Sequence, residues 1–186
     1  ILGDDDALDH GQARKLVVLS DERTHSDDPA FGFRKLVDMA LRALGTGAHD
    51  ATTAVEVINR LHDSLRQLAP RPFPSPEHVD DHGELRLVVR SLDWDGYVRL
   101  AFDEIRLAAG PYPQATRRLE AALQDLKTVA PPERRPALDR QLRLLKQAVE
   151  HELPNHEDVQ AALTPDAQGI GSGLDVVRNG SALSRT

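Results

Sequence analysis

"DDPAFGFRKLVDMALRALGTGAHDATTAV", residues 27–55, decides the fold class. After Pro29 the apolar residues Phe33, Leu36, Val37, Ala40, Leu41 and Leu44 recur at steps of three and four, the spacing that lines one face of an α-helix. Proline is well placed at a first turn, where a missing N–H costs little. Gly45 follows the last apolar residue and suits a left-handed C-terminal cap. A second helix then begins near Thr53, with Thr53 and Glu56 at capping-box spacing and Asp50 as an alternative cap. Its apolar face is Ala54, Val57, Ile58, Leu61, Leu65 and Leu68, and Pro70 stops it. Two amphipathic helices joined by a glycine-containing loop form a helical hairpin, and a helical hairpin needs further helices to cover its apolar side.

Working outward, the chain supplies them. Asp93 caps a third helix that buries Trp94, Tyr97, Val98, Ala101, Ile105 and Ala108. "AAGPYP" (108–113) breaks it, and a fourth carries Leu119, Ala122, Leu123, Leu126 and Val129. "APPERRP" (130–136) leads into a fifth with Leu138, Leu142, Leu145 and Val149, and a short last helix runs from Asn155 to Leu163. "KLVVLS" (15–20) and "ELRLVVR" (84–90) are the strand candidates, and an antiparallel pairing of the two is the economical arrangement. "PRPFPSPEHVDDHG" (70–83) reads as a proline-rich excursion with a turn. The expectation is a mainly α, bundle-like domain of five or six helices with one small two-stranded β element. Residues 1–12 read as a flexible acidic lead-in, 13–163 as a single helical domain, and 164–186, rich in Gly and Ser, as a disordered tail.

Composition narrows the function. At 186 residues, with 40% apolar and 28% charged side chains, the chain has enough for one proper core. It has no cysteine, which excludes disulfides, thiolate metal sites and thiol catalysis. A net charge of −7 argues against nucleic acid as a partner, since phosphate binding depends on cationic surface. No apolar run approaches the roughly 20 residues that span a bilayer. Ile1 at the first position suggests a piece of something longer. Residues 1–31 are strongly acidic and 117–146 basic, blocks that could pair within the fold or remain two solvated faces.

Candidate chemistry concentrates in the opening stretch. Arg34, Asp38 and Arg42 form an i, i+4 ladder beside the apolar face, either an ion-pair stack or a charged site for an anion. The loop 45–54 offers Gly45, Gly47 and exposed N–H groups at a helix start, which can hold an anion, although no phosphate-loop lysine or glycine spacing is present. His49 and Asp50 there, and "HVDDH" (78–82), are possible metal donors without a recognised ligand motif. No nucleophile elbow occurs. Arg34, Asp38, His49, Asp50 and Thr53 are therefore the candidate ligand-binding residues; no catalytic residue, metal or cofactor is assigned.

At "ERT" (22–24), "DDPAFGFRKLVDMALRAL" (27–44), "DATTAV" (50–55), "DWDGYVRLAFDEIR" (93–106) and "APPERRPALDRQL" (130–142) the chain resembles a family of predicted bacterial membrane proteins, domain of unknown function 2254. The likeness spans roughly residues 13–150. The family loop reads Ser-Pro-Gly-x-Asn-Asp-Pro-x-Thr-Ala; Gly47, Asp50, Thr53 and Ala54 match it, while Gly45, Thr46, His49 and Ala51 depart. The resemblance implies a soluble C-terminal portion following transmembrane helices, at the bacterial inner membrane and facing the cytoplasm. The family lends no established chemistry, and the expectation is a non-catalytic interaction or regulatory domain partnered by the membrane-embedded portion of the same protein, with a homo-oligomer as a further possibility. The alternatives are a metal- or anion-dependent hydrolase, or a small-ligand sensor, using the 45–54 loop; the hydrolase requires Arg34, Asp38, His49 and Asp50 to converge.

Overall fold

A computed structural model describes Gly11, Lys15, residues 28–45, Gly47 and residues 49–168. Among these lie six α-helices and one two-stranded sheet, in the order α1 (Pro29–Leu44), α2 (Ala51–Leu68), β1 (Glu77–Val79), β2 (Leu85–Val88), α3 (Trp94–Ala109), α4 (Pro113–Val129), α5 (Arg135–Glu152) and α6 (His156–Leu163). The expected mainly α bundle with a small β element is the fold observed.

The first five helices close into a ring. α1 packs on α2, α2 on α4, α4 on α5, α5 on α3, and α3 back on α1, while α6 covers α4 and α5. The ring encloses Val37, Ile58, Leu61, Leu65, Phe102, Ile105, Leu119, Leu126, Leu138 and Leu145, all essentially free of solvent. On α1 the buried side is Phe33, Val37, Ala40, Ala43 and Leu44, with Leu36 and Leu41 half-buried at its margin. Side chains at positions three and four apart meet the core because 3.6 residues complete a turn.

The caps match the residue types. Asp28 accepts from the N–H groups of Ala30 and Phe31, Asp93 from Gly96, and Asn155 from Glu157. Asp50, not Thr53, caps α2, so that helix starts at Ala51, earlier than the capping-box spacing suggests. Gly45 departs from the expected left-handed cap: its backbone is extended, at φ −66°, and its N–H reaches the Arg42 carbonyl. Among the described residues of this loop the left-handed one is His49, at φ +47°.

The sheet differs from the sequence reading in its pairing. β2 falls within 84–90, but its partner is Glu77–Val79 from the proline-rich stretch rather than 15–20. Lys15 has helical backbone, and 16–20 lie outside the described residues. The reason is local. Asp80 accepts from the N–H groups of His82 and Glu84, Gly83 takes φ +83°, and the chain reverses within a few residues. Two short strands so close in sequence pair at little cost in loop closure. Glu77 faces Val88, His78 faces Leu87 and Val79 faces Leu85, with a bulge between His78 and Val79.

Arg134, in the short 3-10 turn Pro132–Arg134, knits the ring where α2 ends. Its guanidinium donates to the carbonyls of Leu68 and Ala69 and lies over the rings of Phe73 and Trp94, and its own carbonyl accepts from the Trp94 indole N–H. At the other end Asp166 is buried, its N–H donating to the Arg117 carbonyl, so contact with the body continues past the expected boundary at 163. The expected lead-in at 1–12, apart from Gly11, and the tail beyond 168 lie outside the described residues.

Candidate functional site

The five sequence-derived candidates separate into two places. Arg34 and Asp38 pair on α1 as the ladder predicts, through Arg34 Nε and Asp38 Oδ1 at 2.8 Å. Arg34 also forks onto Glu104 of α3, with Nη2 to Oε2 at 3.1 Å. Glu104 first, and then Asp38, hold the guanidinium pKa above its usual value. Arg42 forms no ion pair with Asp38. The cluster therefore clips α1 to α3.

His49, Asp50 and Thr53 sit past the far end of α1. From Arg34 to Gly45 is eleven residues of helix, or about 16 Å at the α-helical rise. Asp50 Oδ1 accepts from the Thr53 N–H at 3.0 Å and Oδ2 from the Thr53 hydroxyl at 2.5 Å. The Thr53 hydroxyl and then its N–H lower the Asp50 pKa. His49 Nδ1 is 2.9 Å from the Tyr112 hydroxyl, which donates to the Leu44 carbonyl at 3.0 Å. A phenol has one proton, so His49 Nδ1 must be the donor of that pair. The left-handed backbone at His49 aims the ring at Tyr112, and Tyr112 in turn satisfies an end carbonyl of α1. The four-residue convergence required of a hydrolase is not formed. Asp80 of the other histidine-bearing stretch is bound to Arg86 and the turn amides, and among the described residues no group of three or more His, Asp or Glu could hold a metal ion.

Two features had no place in the sequence reading. The first is a polar chain between α2 and α4, buried at His62 and Arg118 and reaching the surface at Asp125 and Arg66. Arg118 Nη2 donates to His62 Nδ1 at 2.9 Å, and His62 Nε2 lies 2.8 Å from Asp125 Oδ2, which Arg66 also engages. Arg118 has only donors, so His62 is held neutral with its proton on Nε2. Burial pushes the His62 pKa below its ordinary value, and the Arg118 charge adds to this against the opposing pull of Asp125. Burial alone would raise Asp125, but hydrogen bonds from Arg66 and His62 outweigh it and lower its pKa. Val55, Ile58, His62, Leu65 and Ala69 form a second stripe of helical spacing, all buried, and that register was the available signal.

The second is a groove of about 890 Å³ between the start of α1, the end of α2, the proline-rich segment and the stretch after β2. Phe31, Phe73, Tyr97 and Leu100 give it apolar walls, and Arg34, Arg71 and Arg90 stand around it. Of the five candidates only Arg34 lines it. Beside it the hairpin carries exposed apolar side chains: Val79 is 61% accessible, and Leu87, Val88 and Val89 are each at least 40%.

A ring of helices with a polar chain between α2 and α4, an open groove and an exposed apolar hairpin defines a mainly helical domain. The chain belongs to the family described as Predicted membrane protein (DUF2254), which matches residues 2–125. It is 33% identical over 141 residues to an uncharacterised protein of Mycobacterium bovis, and equally to one of Mycobacterium tuberculosis. The match covers 74% of this chain and 26% of each relative, so the chain spans about a quarter of the curated relatives it matches. No solved structure matches it. Among the described residues no helix is long and apolar enough to cross a membrane.

Proposed function

We propose that this chain is a non-catalytic interaction domain of a longer membrane protein, facing the cytoplasm and docked through its β-hairpin onto the membrane-embedded portion of that same protein. The observation that carries this reading is the hairpin. Its strands pair with each other, while Val79, Leu87 and Val88 face outward rather than into the helical ring. Isolated two-stranded hairpins are marginal in water, and exposed strand edges invite another partner. The matched relatives extend over roughly three further lengths of the aligned stretch, which supplies a covalently linked occupant. The candidate titratable groups of the 45–54 loop are engaged in capping and latching, which favours this reading over catalysis.

The test uses the full-length protein in native membranes, with a photo-crosslinker at Leu87. The expected product is an adduct within one polypeptide, joining the hairpin to the membrane-embedded portion. Adducts confined to a second copy or to unrelated proteins would overturn the docking. An antibody against the domain should detect a band well above 20.5 kDa in the membrane pellet; a soluble 20.5 kDa band would overturn the membrane assignment. Protease should cut the domain in inverted vesicles but spare it in spheroplasts. Leu87→Lys in the chain alone should shift stability by no more than about 0.5 kcal/mol, as for an exposed position.

A further inference from the structure

We propose that the groove beside the hairpin is a binding site for an anionic amphiphile, a ligand with one negative head group and an aliphatic chain. The inference does not depend on hairpin docking, because the groove is formed by the described residues themselves.

Charge selects the head group. The chain as a whole is acidic, at −7. The groove nonetheless collects three arginines and one acid, Asp28. Arg34 is already matched by Asp38 and Glu104. Asp28 accepts from the N–H groups of Ala30 and Phe31 at the positive end of α1. Arg71 and Arg90 are exposed and form no side-chain ion pair or hydrogen bond among the described residues. Two uncommitted guanidinium groups at one concavity are matched to a carboxylate or phosphate, which such forks bind by charge-assisted hydrogen bonds.

Shape and lining select the tail. A bare inorganic anion would leave most of the 890 Å³ empty. Phe73 and Tyr97 pack at a tilt of 41° with ring centroids 5.9 Å apart, and Tyr97 meets Phe33 edge-on at 5.2 Å, so this wall is held by packing. Pro72 and Pro74 stiffen the strand of chain that carries Phe73. Preformed pockets of several hundred Å³, largely apolar with a few placed polar groups, are the common form of small-molecule sites. An aliphatic chain along Phe31, Phe73 and Leu100, with its head group between Arg71 and Arg90, satisfies both halves of the lining.

The experiment titrates the isotopically labelled full chain with decanoate and with decanol below their aggregation limits, following backbone amide shifts. Decanoate should bind saturably, with the largest shifts at 28–31, 68–74 and 89–92. Decanol should bind at least about tenfold more weakly, the effect of losing one charge-assisted hydrogen bond. Arg71→Gln with Arg90→Gln should weaken decanoate by a similar factor or more and leave decanol unchanged. Both positions are exposed, so an unchanged thermal midpoint will show that the double variant folds. Equal affinity for the two ligands, shifts scattered over the surface, or no saturation would overturn the proposal. A second arm separates two sources of the ligand. Flotation with phosphatidylglycerol vesicles but not phosphatidylcholine vesicles, lost in the double variant, identifies a bilayer lipid. Decanoate binding without flotation identifies a free single-chain anion.

Discussion

Residues show how polar side chains were allotted in this fold. Asp50 was legible as a cap because its residue type and its spacing to Thr53 are local properties, although the capping-box spacing of Thr53 and Glu56 pointed to a later start that the helix does not take. His49 was legible as a possible donor to a metal or ligand but not as a latch, since its partner Tyr112 is 63 residues away. Tyr112→Phe should leave the fold intact and destabilise it by about 1 kcal/mol, the net value of a typical hydrogen bond; denaturant midpoints will measure this. His62 gives a pH signature. Its pKa is lower in the folded state than the ordinary 6.5, so the unfolded chain takes up the proton first. The His62 contribution is complete above about pH 6.5 and declines as pH falls from there towards the folded value, then levels off. Melting curves between pH 8 and 5 should show that decline, and His62→Gln, which cannot titrate but can still meet Arg118 and Asp125, should flatten it.

Elements were read best where periodicity is long. The helices of the body appeared in the sequence at nearly their final bounds because sustained apolar spacing has one solution. The β1–β2 pairing was not legible, since Glu77–Val79 carries little strand character and is fixed by the Asp80 turn. The last helix was legible too, although contact with the body runs past its end to the buried Asp166. α6 is only eight residues long, yet Val159 and Ala162 are buried and the Ala162 carbonyl accepts from the buried Thr116 hydroxyl at 2.9 Å. Truncation after Asn155 should therefore expose the outer side of α4 and α5 and lower stability by about 3 kcal/mol, the scale of removing buried apolar side chains together with a buried hydrogen bond. Equilibrium unfolding of the shortened chain checks this, and an unchanged midpoint would show that α6 merely rests on the surface.

At the scale of the whole molecule, ring closure is the property that no single segment announces. α1 touches α3 across the Arg34–Glu104 clip, and α2 touches α4 across the His62 chain, so neighbours in space are not always neighbours in sequence. The groove arises from that closure, from four separate stretches of chain, which is why its cations could not be grouped beforehand. The Arg134 knot has a practical consequence of its own. Trp94 is the chain's sole tryptophan, and its indole is held against a guanidinium and a carbonyl where the third helix begins after the hairpin. The protein thus carries a single indole at the seam between its hairpin-bearing segment and its helical ring, and its emission, excited to the red of the two tyrosines, can report on loosening of the seam without any label being attached.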